Sequence, residues 1–354
     1  MAILYITEQG ATIRHIAGRI VVRRNDRIIT ELPDFKVEQI VVYGNSEMTS
    51  GARNYCFERG IDVAYLSSTG RYRGRMENPL AKNALLRQRQ QAAVNDPAFC
   101  RRNAAAIVGG KIRNMMAMVR QQRRLRVDGR PLLAELESLL PKAAVAANLD
   151  SLNGYEGVAS AAYFKAFRAA LKGDWQFEAR LYHPPPDPVN ALLSFGYSLL
   201  HNDVFAALNI VGLDPYAGTF HRPRLGHAAL ASDLMEEHRA LLIDRLVLTA
   251  LNKRIIIETD FVPTPDRQFR LASEALKRFL GLYAHQLNET VFYPVQNIRT
   301  SFRQVLELQA RHFARVVLGE AEVYRPFQLV PTLDEPDAQP DGTSAENEPE
   351  SDAS

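Results

Sequence analysis

Cysteine is nearly absent from this 354-residue chain, which holds only Cys56 and Cys100. The pair shows no metal-ligand spacing, which excludes a disulfide framework and a cysteine-based zinc site and makes a reduced cytoplasm the expected compartment. Long apolar runs are missing too. No stretch reaches the roughly 20 residues a membrane span needs, so no membrane partner is expected. The opening MAILYITEQGATIRHIAGR lacks the polarity pattern of a signal peptide. Neither a P-loop, nor G-x-G-x-x-G, nor a Ser-His-Asp order occurs, so ATP use and dinucleotide binding have no support.

Net charge is also scarce, at +3, but that figure averages unlike parts. Pro331 to Ser354 hold eight acids and no Lys or Arg, leaving +11 on residues 1–330. Within that body, Lys82 to Arg130 carry twelve basic residues against Asp96 and Asp128. A basic body with an acidic tail suggests a polyanionic partner. The segment KIRNMMAMVRQQRRLRVDGR at 111–130, with Arg120, Arg123, Arg124 and Arg126, reads as a surface that tracks phosphates without regard to sequence. The plainer alternative is a solvated helix face.

Branched and aromatic runs broken by turn signals dominate the first 78 residues: 3–7, 12–16, 19–24, 27–30, 37–43, 62–67 and 71–76. One helix is predicted there, over 49–59 before Gly60. From Asn78-Pro79 the pattern turns helical, with helices expected at 80–94, 97–122, 131–139, 153–171, 189–211, 228–252, 268–288 and 298–318. His183-Pro-Pro-Pro-Asp-Pro188 interrupts the series, and 254–262 reads as a β-ribbon. The expected class is α+β: an antiparallel β-sandwich or β-roll domain at 1–78, an all-α-helical domain at 79–330, and a disordered acidic tail at 331–354.

Three features could carry chemistry. Glu156 lies in LNGYEGVASAAYF, where Gly154, Gly157 and several alanines would let its helix approach neighbouring backbones, and Tyr163 shares its face. His221 follows GLDPYAGTF and precedes Arg222-Pro-Arg224, cations that would keep it neutral and that are themselves phosphate-binding candidates. Asp233, Glu236 and Glu237 fall at i, i+3 and i+4 of one helix, where buried acids would need a compensating cation such as Arg239. Taken singly, a Glu or His in a helical protein is more often structural or solvent-facing, and an acidic helix face is usually just solvated. No rule of spacing joins Glu156 to His221. Brought together, Glu156, His221 and Glu236 would form an oxygen-rich set suited to Mg²⁺ or Mn²⁺. Zinc is the weaker fit, since it would have to recruit His227 or His238.

A small β-domain, then G-Y-E-G, N-A-L-L-S-F-G-Y, G-L-D-P-Y-A-G-T-F-H and D-L-M-E-E-H-R in that order, resembles the CRISPR-associated integrase of spacer acquisition, the first of the numbered CRISPR-associated families. The resemblance covers residues 1 to about 328. It implies metal ligands at Glu156, His221 and Glu236, a further acidic position contributing to activity at Asp233, and a basic one at Arg239. It also implies a divalent-metal-dependent DNA endonuclease and integrase of antiviral defence, in which the 3′-hydroxyl of a captured protospacer fragment attacks a phosphodiester at the edge of a CRISPR repeat. Implied partners are DNA, a second copy through the β-domain, and the small second-numbered CRISPR-associated protein. His238, where Phe is common, and the acidic tail depart from the family pattern. The competing classes are a non-catalytic, sequence-nonspecific DNA-binding scaffold and a zinc hydrolase of small substrates.

Overall fold

A computed structural model describes residues 2–25, 27–67, 72–76, 83–121, 128–181, 185–222, 224–263 and 269–329. The acidic tail, Arg123, Arg124, Arg126 and the start of the proline run therefore lie outside the described residues.

The N-terminal region builds two four-stranded sheets. The first is β1 (Ala2–Ile6), β5 (Val37–Tyr43), β7 (Asp62–Leu66) and β8 (Tyr72–Met76), in that order; the second is β4 (Arg27–Pro33), β3 (Arg19–Arg24), β2 (Thr12–Ile16) and β6 (Glu47–Met48). Pairing departs from the antiparallel expectation, because β1 with β5, β5 with β7, and β2 with β6 run parallel. The reason is legible in VEQIVVY. Parallel strands buried on both faces read as a continuous apolar run rather than an alternating one. Ile40 and Val42 face a core shared with Ile13, Ile20 and Val22 of the second sheet. Val41 faces the other way and packs with Ala206 and Ile210 of a helix in the following region. One helix, α1 (Ser50–Arg59), crosses between β6 and β7; the Thr49 hydroxyl accepts from Ala52 N–H at its start, and Gly60 ends it at φ 66°.

Helices dominate the rest: α2 (Asn83–Val94), α3 (Pro97–Gln121), α4 (Arg130–Ala144), α5 (Leu149–Ala170), α6 (Pro188–Val211), α7 (Ala229–His238), α8 (Arg245–Asn252), α9 (Ser273–Leu287) and α10 (Phe302–Leu318). Their starts follow the sequence. Asn148 caps α5 by accepting from Ser151 N–H, and Asp187 caps α6 with Pro188 in its first turn. The predicted helix at 228–252 is interrupted: between α7 and α8 the chain loosens into a π-helical turn, Arg239–Asp244. Two small ribbons qualify the all-helical expectation. Phe261–Pro263 pairs with Phe269–Leu271, so only the end of the predicted 254–262 run is strand, and Thr290–Tyr293 pairs with Ile298–Ser301. Among the described residues, no helix is long and apolar enough to cross a membrane.

The two regions meet where α6 and α10 cover the outer face of the first sheet. Gln39 donates to the Ile210 carbonyl at 2.6 Å and Arg75 to that of Asn209, while Tyr5 donates to Glu307.

Candidate active site

Four separate segments converge on one small polar volume inside the helical region. Helix α5 brings Glu156, the loop before α7 brings His221, α7 brings Asp233 and Glu236, and α3 brings Lys111. The lysine ammonium lies between two carboxylates, bonded to Glu156 and 2.5 Å from Glu236 Oε2. His221 Nε2 stands 3.9 Å from the other Glu236 oxygen, and Ser160 Oγ donates to Glu156 at 2.7 Å. Thus the chain brings Glu156, His221 and Glu236 together, although no spacing rule joined them.

Asp233 has a different place. Fully buried, it accepts from the backbone N–H groups of Thr219, Phe220 and His221 at 2.6, 2.9 and 2.8 Å, and it bonds His221 Nδ1 at 2.8 Å. One carboxylate therefore folds the loop and fixes the imidazole, leaving Nε2 as the atom directed at Glu236. Gly218 is required for this approach, since a Cβ there would sit 2.8 Å from both Ala229 and the Asp233 carboxylate.

The three acids of α7 do not share one environment, contrary to the single face expected for them. Glu237 is turned to α10 and the C-terminal strap that follows it, residues 319–329, and accepts from Gln309 at 2.8 Å, Tyr324 at 2.9 Å and the Phe327 N–H at 3.0 Å. His238 lies beside it, Nε2 3.1 Å from Glu237 and its ring stacked on Phe327. Asn114, one turn beyond Lys111 on α3, donates to the carbonyls of both Glu237 and Phe327 at 2.7 Å. Gly110 admits the same strap, since a Cβ would meet Pro326 at 2.3 Å. These contacts fix α3 against α7 and so set the Lys111 backbone opposite Glu236.

Charge is nearly balanced within the site. Burial alone would raise the Glu236 carboxyl, but Arg239, Lys111 and His221 outweigh it and bring it down to about 2. Arg239, in the π-helical turn, reaches back to Glu236 at 3.1 Å and lies over the Tyr197 ring at 4.6 Å. The compensating cation expected opposite the acids is thus Arg239, held by Glu236. His221 corrects a second expectation. Burial disfavours its charged form, yet the Asp233 hydrogen bond and the Asp233 and Glu236 charges prevail, so its pKa is raised rather than held down by neighbouring arginines.

Two further expectations change. Gly154 and Gly157 do not serve close backbone packing, because a Cβ at either would meet nothing within 4 Å. Both face open space on the surface of α5. Nor is the described part of the 111–130 segment, 111–121, one exposed face: Arg113 and Arg120 are exposed, but Lys111, Met115, Met116 and Met118 are buried. Lys111 was missed as a site residue although the signal was present. It occupies the apolar stripe Ile107, Val108, Lys111, Ile112, Met115 and Met118, where a solvated lysine has no place. Tyr163, expected to share the Glu156 face, is buried in the helical core. Arg222 and Arg224 are exposed beside His221, Arg222 paired with Asp150 at 2.6 Å.

Two carboxylates and an imidazole Nε2 form a hard oxygen and nitrogen set, and the carboxylates already hold a cation between them, so the residues fit a divalent ion of the Mg²⁺ or Mn²⁺ kind. Among the described residues no three His, Cys, Asp or Glu side chains are grouped so that they could hold a metal ion as they stand; Lys111 lies between Glu156 and Glu236 instead.

A family model described as CRISPR associated protein Cas1 matches residues 4–285. The CRISPR-associated endonuclease Cas1 3 of Thermus thermophilus is 35% identical over 331 residues, covering 93% of this chain and 98% of the relative. A solved casposase bound to integration product superposes with a TM-score of 0.78 at 21% identity, covering 92% of this chain and 98% of that one. A partial Cas6-RT-Cas1–Cas2 complex gives 0.78 at 26% identity, covering 93% and 99%.

Proposed function

The chain belongs to the Cas1 family of CRISPR-associated proteins, and on that premise we propose that it is a divalent-metal-dependent DNA endonuclease and integrase that inserts captured DNA fragments at CRISPR repeats. The observation that carries the proposal is that Glu156 and Glu236, from separate helices, share a buried cation while His221 Nε2 faces the second Glu236 oxygen. Glu156, Glu236 and His221 Nε2 would hold the metal. When bound, it supplies positive charge to the scissile phosphate and activates an attacking water or 3′-hydroxyl oxygen. Strand transfer then exchanges one phosphodiester for another and needs no ATP, in keeping with the missing P-loop.

The protein's own groups set the stage. Asp233 holds His221 by Nδ1 and keeps Nε2 free to bind. Arg239, braced on Tyr197, keeps Glu236 ionised within the protein interior. Glu156 is partly exposed, and the exposed Arg222, Arg224 and Arg120 are candidate phosphate contacts of the DNA. The other proposed partners are the Cas2 protein, named in the complex of the 26%-identical structure, and a second copy of this chain. Ile16, Ile28, Ile29 and Phe35, exposed on β2, β4 and the turn after β4, give the second copy an apolar surface.

The test incubates wild type and Glu156→Ala with a short 3′-hydroxyl duplex and a repeat-bearing plasmid in Mn²⁺. Wild type is expected to join the strands and the variant to bind DNA without joining. A variant that still joins overturns the site. Salt-sensitive DNA binding indifferent to EDTA, with no joining by wild type, would favour a scaffold.

A further inference from the structure

Lys111 is a buried cation whose place a structural role explains only in part. Its side chain is 4% exposed and its ammonium is shared by Glu156 and Glu236, the two carboxylates that would hold the metal. An ammonium and a divalent ion cannot both sit between them, because each repels the other at the same oxygens. The two cations of the site also differ in freedom. Arg239 lies over the Tyr197 ring, whereas Lys111 ends a flexible four-carbon stem with three rotatable donors. The backbone under that stem is held by Asn114 and by the contact of Gly110 with Pro326, so a shift of the ammonium need not move α3. Glu156 is 22% exposed, so its carboxylate is reached from solvent and a phosphate can approach it.

We propose that Lys111 is a second catalytic cation: it neutralises Glu156 and Glu236 before the metal binds, then moves from between them and donates to a non-bridging oxygen of the scissile phosphate. The step forms no covalent bond to the lysine and leaves it protonated. This role rests on the proposed metal-dependent strand transfer. It differs from that of a structural counter-ion, whose work is finished once a divalent ion has replaced it.

The experiment compares wild type, Lys111→Met and Lys111→Arg by thermal melting in EDTA and in MnCl₂, by Mn²⁺ titration calorimetry, and by single-turnover strand transfer at saturating Mn²⁺. Lys111→Met is expected to melt below wild type in EDTA, where two carboxylates lose their cation. It should bind Mn²⁺ roughly tenfold more tightly, with no ammonium to displace. Its strand transfer should nevertheless fall by about 10²-fold, the scale seen when a donor to developing charge is removed. Lys111→Arg should recover part of the rate. Strand transfer at the wild-type rate in Lys111→Met would overturn the proposal and leave a structural counter-ion. Weaker Mn²⁺ binding in that variant would also overturn it. Should the variant fail to fold, reductive methylation of wild type decides: Lys111 is expected to be protected in EDTA and labelled in Mn²⁺, and protection in both contradicts its displacement. A wild type that neither binds Mn²⁺ nor joins strands removes the underlying function as well, whereas failure confined to Lys111 leaves that function standing.

Discussion

Replacing Asp233 by Asn keeps the shape of the side chain and removes half of its accepting capacity. In the native protein one oxygen takes the Thr219 and Phe220 N–H groups and the other takes the His221 N–H and bonds His221 Nδ1. An Asn offers a single carbonyl oxygen: with its NH₂ toward Thr219 and Phe220 two backbone donors lose their acceptor, and with its NH₂ toward His221 the His221 N–H does. Hydrogen bonds to a charged acceptor are each worth about 1.5–3 kcal/mol, giving a ceiling of roughly 3–6 kcal/mol, which loop relaxation would reduce toward the lower figure. The chemical effect is separate. If the amide turns its NH₂ to Nδ1, the imidazole must place its proton on Nε2, the atom needed for a metal. Mn²⁺ affinity should therefore drop about 10- to 100-fold, as for other partners that orient a ligating histidine. Urea denaturation measures the first effect and Mn²⁺ calorimetry on the folded variant the second. A variant with the wild-type urea midpoint and wild-type Mn²⁺ affinity would refute the reasoning.

Three other outcomes follow from the same structure. Gly157→Ala should raise stability by about 1 kcal/mol, since its Cβ meets nothing within 4 Å in a helix interior; a lowered melting temperature would contradict that open space. Burial raises Asp244 to about 6 even though it accepts from Tyr197, so the folded state holds this proton more firmly than the unfolded one. Its contribution to stability thus falls as pH rises from about 4 to about 6, by up to about 3 kcal/mol, and Asp244→Asn should lose that slope relative to wild type in urea melts across this range. Truncation after Val330 should tighten DNA binding at low salt, because the eight-acid tail follows a strap whose Leu329 N–H bonds Asn114, one turn from Lys111; unchanged affinity would count against competition between tail and DNA.

Most of the elements were legible because local chemistry decides them. Runs such as TIRHI and RIVVRR became strands at 12–16 and 19–24, and Asp187-Pro188 and Gly212 bounded α6 as expected. Strand direction was not legible, since parallel pairing of β1, β5 and β7 depends on what covers both faces, and that cover arrives with α6, some 150 residues later. The break at Arg239 also escaped, because RALLID carries no glycine or proline; its loosened turn is tied to tertiary contacts of Arg239 and Asp244 with Tyr197. At the site, residue types were readable but their division of labour was not. Asp233, Glu236 and Glu237 look alike in sequence, yet one folds the His221 loop, one faces Lys111 and one anchors the C-terminal strap. Lys111 was counted among surface charges, although its apolar neighbours at helical spacing marked it as buried.

The most direct test of the metal site is anomalous diffraction at the manganese edge from crystals grown in Mn²⁺. One peak is predicted about 2.1 Å from carboxylate oxygens of Glu156 and Glu236 and close to His221 Nε2, with the Lys111 ammonium no longer between the carboxylates. A protein saturated with Mn²⁺ whose peak lies elsewhere, with Lys111 still joining Glu156 to Glu236, would contradict it.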